Sequence, residues 1–199
     1  MAEEAPTTAR LEAFSDGVIA VIITVMVLEL KVPHADGLAA LRELAPGLAI
    51  YLLSFAFCGV YWLNHQHLVR RAERAGHTMQ YANLGFLFCL SLLPFSTAYV
   101  VDKKMSGSAV SFYAFTLFIV AVAFMLLRLT IHRHLRHRNA FSTADQEGFR
   151  NHMASIVLYA AGVVAGLFFP RSVLWSIAIL TFIWAIPNLS LRTAKEQWI

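Results

Sequence analysis

The stretch "RLEAFSDGVIAVIITVMVLEL", residues 10–30, decides the fold class. From Val18 to Leu28 its only polar residue is Thr24, and a run of that kind is built to sit in lipid. Yet it opens on Phe14-Ser15-Asp16-Gly17 and carries Glu29 at its far end. An ionisable residue inside a membrane span is costly and normally faces protein or water with a partner. Asp16 therefore calls for partners elsewhere in the chain.

The rest of the sequence has the same character. The chain of 199 residues is 58% hydrophobic, with a mean hydropathy of +0.61, more apolar than a soluble domain of this length. Its 16 basic residues outnumber 12 acidic ones. On so apolar a background the excess marks cytoplasmic loops and does not argue for nucleic-acid binding. Cys58 and Cys89 both sit in apolar runs without a CxxC partner, which suits small packing residues and neither a disulfide nor a metal. The first 13 residues hold Glu3, Glu4 and Glu12 and lack the basic-then-apolar order of a signal peptide, so the first apolar run is expected to stay as a span.

A span needs roughly 20 mostly apolar residues to cross about 30 Å of hydrocarbon. Six segments meet this, near 14–30, 47–67, 80–101, 109–131, 152–170 and 172–190, the last two joined at Pro170-Arg171. Leu38 to Ala45 reads as a short helix ended by Pro46-Gly47. No strand alternation is sustained, so backbone satisfaction in lipid points to an all-α bundle. The expected fold is thus a single integral-membrane domain, residues 1–199, with six transmembrane helices. An inside amino terminus would place Arg10, Arg70, Arg71, Arg74, Arg128, Arg133, Arg136, Arg138, Arg150, Arg192 and Lys195 in the cytoplasm. The outer side would hold only Lys31, Arg42, Lys103, Lys104 and Arg171. That bias predicts both termini cytoplasmic. The basic stretch from His132 to Arg150 is the longest loop, and contact with anionic lipids is its modest functional reading.

In this topology Arg10, Ser15 and Asp16 lie near the depth of "YWLNHQH", residues 61–67, and of Gln80 and Asn83. A structural network of Arg10, Ser15, Asp16, Asn64, His65, His67 and Asn83, tying three helices near the inner face, follows from that depth. It competes with side chains that simply reach the headgroups. Metal binding is not expected, since His65 and His67 are two apart and do not share a helix face. On the first span Gly17, Val21, Thr24 and Leu28 follow i, i+4, i+7, i+11 and form one stripe with Val25 on its edge. Asp16 lies roughly 100° from the stripe's centre. The stripe is free to face a symmetry axis; ordinary helix packing is the competing account.

The opening residues also carry a resemblance. "RLEAFSDGVIAVIITVMVLEL" resembles the R-x-x-x-F-S-D motif and first helix of the transmembrane protein 175 family of endosomal and lysosomal potassium-leak channels and their prokaryotic relatives. "YWLNHQHL" and "NLGFLFCLSLLPFSTAYV" look like that family's second and third spans. With one six-helix repeat, the chain is similar to the prokaryotic members, for which the resemblance implies a homotetramer around a central pore in the plasma membrane. It implies potassium as the permeant ion, no cofactor, and no TVGYG filter. It further implies that the first helix lines the pore, with Val21, Val25 and Leu28 as an apolar constriction and Thr24 as a selectivity layer. Val21 departs from the family, which often has isoleucine or leucine there.

Two other classes compete with a potassium-selective leak channel. A proton-coupled transporter would relay protons through Asp16, Glu29 and the membrane-level histidines, although no inverted repeat or pair of Gly/Pro-broken spans supports one. A membrane enzyme would use His65, His67 and "HRHLRHR", residues 132–138, but that run has no acidic partner and suits a positive-inside flank.

Overall fold

The computed structural model describes residues 8–33, 36–72, 76–137 and 143–185. Glu3, Glu4, Arg74, Arg138, Arg192, Lys195 and the end of the sixth expected span, residues 186–190, lie outside the described residues. Seven helical stretches are present: α1 Thr8–Leu28, α2 Gly37–Arg70, α3 His77–Ser91, α4 Leu93–Asp102, α5 Gly107–His137, α6 Thr143–Ala165 and α7 Pro170–Ala185. α3 and α4 abut at Leu92, with Pro94 in the first turn of α4, and run on as one apolar unit from His77 to Asp102.

The chain is all-α, but the expectation of six transmembrane helices is corrected. Among the described residues four helical units are long and apolar enough to cross a membrane: Thr8–Leu28, Gly37–Arg70, His77–Asp102 and Gly107–Arg133. The expected fifth span, 152–170, falls on a helix that begins at Thr143 and stops at Ala165. Residues 166–169 of that window form the turn after α6, so the apolar helical part, 152–165, is shorter than the window. The sixth falls on α7, whose 16 described residues span about 24 Å, short of the roughly 30 Å of hydrocarbon. The expected break at Pro46-Gly47 is also absent. α2 runs through Pro46 without interruption for 34 residues. Pro46 forfeits one backbone bond there, while Gly47 is buried with the Val101 side chain close enough to touch any added Cβ, at 3.4 Å.

α5 is the centre of the bundle. Tyr113, Leu117, Phe124 and Leu127 are fully buried, and α3, α4 and α6 pack around them. α5 and α6 run antiparallel and meet at small residues. At one end a Cβ on Gly107 would stand 2.6 Å from the Leu167 carbonyl oxygen. At the other, Gly148 lies under the Arg128 guanidinium. Small residues of this kind let helix backbones approach closely in lipid. An aromatic group fills the middle: Tyr61 meets Phe124 edge-on, with centroids 5.2 Å apart, and Phe86 packs against both.

Polar pairs mark the two ends of α1. At its start Glu12 meets Arg70 at the end of α2, at 3.5 Å. Past its end Lys31 meets Asp102 at the end of α4, at 2.7 Å. α4 then turns through Lys104 and Met105, both with positive φ, and the Met105 N–H reaches back to the Val100 carbonyl at 2.9 Å. That is a Schellman-type helix end. α1 is thereby held between α2 on one flank and α3–α4 on the other, and this arrangement positions the site.

Candidate functional site: the two faces of α1

α1 is apolar nearly all round, so its two faces are told apart by packing and not by polarity. Ser15, Ile19, Ile22 and Met26, spaced i, i+4, i+7, i+11, are buried against α2, α3 and α4. On the helix wheel that face lies roughly opposite the stripe. Every stripe residue is exposed in the single chain: Gly17, Val21 (59%), Thr24 and Leu28 (79%), with Val25 (36%) at the edge. A wholly buried face and an unpartnered apolar face thus share one helix. The Thr24 hydroxyl donates to the Val21 carbonyl within its own helix, at 2.9 Å. With its proton committed there, its oxygen lone pairs are left as acceptors on the exposed face.

The polar residues at the start of α1 fall into two groups. The first is a directional chain of hydrogen bonds across three helices. His65 Nε2 donates to Asn83 Oδ1 at 2.7 Å, Asn83 Nδ2 donates to Ser15 Oγ at 2.9 Å, and Ser15 Oγ donates to the Leu11 carbonyl at 2.8 Å. All three side chains are buried, at 0 or 1% exposure. Because the Asn83 carbonyl oxygen can only accept, His65 must carry its proton on Nε2. Its ring stacks on Phe86, and its Nδ1 is buried without a hydrogen-bond partner among the described residues. The second group is Asp16, half-buried, whose Oδ1 accepts from the Trp62 indole N–H at 2.8 Å.

The remaining polar residues lie outside these bonds. Asn64 is exposed and turns its amide back to the Val60 carbonyl, at 2.8 Å. Arg10 and His67 are exposed. Glu29 is exposed in the turn after α1. Two members were not drawn from the sequence: Trp62, the partner of Asp16, and the Glu12–Arg70 pair. Trp62 stands three residues before His65, on the same helix face, which is the signal that places it beside Asp16. Among the described residues no group of three His, Cys, Asp or Glu side chains is arranged to hold a metal ion.

Two recesses open beside α1. A groove of about 630 Å³ lies on the α2 flank, lined by Asp16, Ile19, Ala20 and Ile23 with Phe55, Ala56, Gly59, Val60, Trp62, Leu63 and Ala185. A smaller one of about 350 Å³ lies on the α3–α4 flank, between Val21, Ile22, Val25 and Glu29 and the residues Ser91, Pro94, Phe95 and Ala98.

These features define a multi-pass, all-helical membrane protein whose first helix keeps one apolar face uncovered. Residues 10–94 match the family model described as the endosomal/lysosomal potassium channel TMEM175. A Chryseobacterium protein named a potassium channel is 36% identical over 96% of this chain and 99% of its own length. A Chamaesiphon minutus protein, also named a potassium channel, is 34% identical over 73% of this chain and 75% of its own. A Gallus gallus protein named endosomal/lysosomal proton channel TMEM175 is 27% identical over 92% of this chain but only 38% of its own length. The crystal structure of a lysosomal potassium-selective channel TMEM175 homolog from Chamaesiphon minutus superposes with a TM-score of 0.69 at 28% identity, covering 89% of this chain and 97% of that one. The chain belongs to the TMEM175 family. That family comprises ion channels, not enzymes.

Proposed function

We propose that this chain is a potassium-selective leak channel of a prokaryotic plasma membrane, working as a homotetramer with four copies of α1 around the pore axis. The observation that carries the reading is the exposure of Gly17, Val21, Thr24 and Leu28 on a helix whose opposite face is fully packed. One α1 cannot enclose a pore, whereas copies around a closed rotation axis bury the stripe against itself. Val21, Val25 and Leu28 then form stacked apolar rings within about 10 Å of helix, at 1.5 Å per residue. Such rings can gate by dewetting without a charged plug. Thr24 falls between them and presents four hydroxyl oxygens to an ion that has lost part of its hydration shell. Potassium is the permeant ion in this reading, in keeping with the names of the bacterial relatives.

A proton-coupled transporter through Asp16, Glu29 and the histidines fits less well. Asp16 is bonded to Trp62, and His65 is buried behind it, on the side of α1 away from the stripe. The two readings separate in planar bilayers holding purified protein with potassium on one side and sodium on the other. A channel passes current with a reversal potential set by the potassium gradient and indifferent to a pH gradient. A reversal potential that follows the pH gradient would reject the potassium reading.

A further inference from the structure

Resting on the ring just proposed, we infer that the groove between α1 and α2 of one protomer receives the exposed α3–α4 face of the next copy, with Phe88 as its chief occupant. The stripe has two unlike flanks. Asp16, Ala20 and Ile23 lead into the α2-side groove, whereas Val21, Val25 and Ile22 lead into the recess shared with Ser91, Pro94 and Phe95. When identical units close head to tail around an axis, every contact is heterologous, so one flank of each copy must face the opposite flank of its neighbour. The larger recess is on the α2 side. On the opposite flank, beyond the smaller recess, Leu84 (49%), Phe88 (67%), Ser91 and Phe95 (62%) are exposed at spacings of four, three and four and make one uncovered face.

Depth selects Phe88 from that face. All copies in such a ring sit at one height in the membrane, so residues level with each other in one chain are level across the interface. Asn83 is level with Ser15 through their hydrogen bond, and Ser91 shares a recess with Val21, Ile22 and Val25. Phe88 therefore stands at the height of Ile19 to Ile23, the α1 wall of the groove, with Leu84 about a turn below. The groove is otherwise apolar, its one carboxylate already accepts from Trp62, and an aromatic ring suits it. Gly59 forms part of its wall and leaves room, since a Cβ there would meet nothing within 4 Å.

The test uses the whole chain with Cys58 and Cys89 replaced by alanine, so that new cysteines report alone. Native mass spectrometry in detergent is expected to give a tetramer. Gly59→Cys combined with Phe88→Cys in one chain should give, with a short bismaleimide, a cross-linked ladder up to four chains, and neither single variant should. Gly59→Trp fills the groove within the protomer and should cause loss of the tetramer, whereas Gly59→Ala should retain it. A tetramer in which the double variant forms no ladder overturns this inference and leaves the channel reading standing. A wild-type monomer overturns both.

Discussion

At the residue scale the proposed selectivity turns on Thr24. Its hydroxyl is anchored to the Val21 carbonyl and its oxygen faces outward between apolar neighbours. Thr24→Val keeps the shape and removes the oxygen, so the potassium-over-sodium preference should fall, read as a reversal potential moving toward zero under bi-ionic conditions. Leu28→Ala should instead widen the apolar ring and raise conductance. An unchanged reversal potential in Thr24→Val would leave the threonine a packing residue and send selectivity elsewhere. Asn83 is the contrasting case, since it joins α2 to α1 and touches nothing on the stripe. Asn83→Leu leaves the buried His65 Nε2–H without its acceptor, at a cost of about 1–3 kcal/mol, while Ser15 keeps its bond to the Leu11 carbonyl. Thermal unfolding in detergent should start lower while the reversal potential of the surviving channels stays put. A shifted reversal potential would place Asn83 on the ion path. The shared depth of Ser15, His65 and Asn83 follows from topology, whereas their bonding is visible only in the folded chain. The exclusion of Asn64 and His67 was not legible in the sequence, since helix rotation, and not depth, decides which residue of "YWLNHQH" points inward. Trp62 was passed over because an indole is read first as apolar, and its single N–H shows its role only when a carboxylate stands 2.8 Å away.

Among the elements, the α5–α6 pair shows how little room the packing leaves. A Cβ on Gly107 would stand 2.6 Å from a backbone oxygen, and backbone cannot step aside as a flexible side chain can. Gly107→Ala should therefore separate the helices and destabilise the chain by about 1–3 kcal/mol, the usual cost of overpacking. Gly85→Ala, where nothing lies within 4 Å, is the matched control and should be silent. Equal melting temperatures for the two variants would show that α6 yields freely. The same region explains the misread spans. A hydropathy window finds apolar density but not helix ends, so it joins the apolar half of α6 to the Gly166–Phe169 turn. Pro46 misled in the opposite direction. One lost hydrogen bond is a local signal, and it is outweighed where the helix continues into a packed segment at Gly47 and Ile50. α1 is the hardest element to read, because its buried face and its exposed face are both apolar and only the partners distinguish them.

At the scale of the whole molecule, charge decides which way the bundle sits in the membrane. One end gathers Glu12, Arg70, Arg71 and His77, where α1 starts, α2 ends and α3 starts. The other end holds Lys31, Asp102 and Lys103, where both lysines reach the same carboxylate, at 2.7 and 3.2 Å. Among the described residues the first end carries Arg10, Arg70, Arg71, Arg128, Arg133, Arg136 and Arg150, the other Lys31, Arg42, Lys103, Lys104 and Arg171, and the end richer in Lys and Arg stays inside. The arginine end is thus predicted to be cytoplasmic, and with it the start of α1, Asp16 and the hydrogen-bonded chain to His65. Leu28 then lies toward the outside, and in the proposed pore an ion leaving the cell would meet Gly17 first, Thr24 next and Leu28 last. In whole cells carrying the cysteine-free chain, Ser106→Cys, exposed in the turn after α4, should react with a membrane-impermeant maleimide added outside. His77→Cys, exposed at the start of α3, should react only after permeabilisation. The reverse pattern would invert the proposed pore and place Leu28 at its cytoplasmic mouth, although the helix packing would be the same.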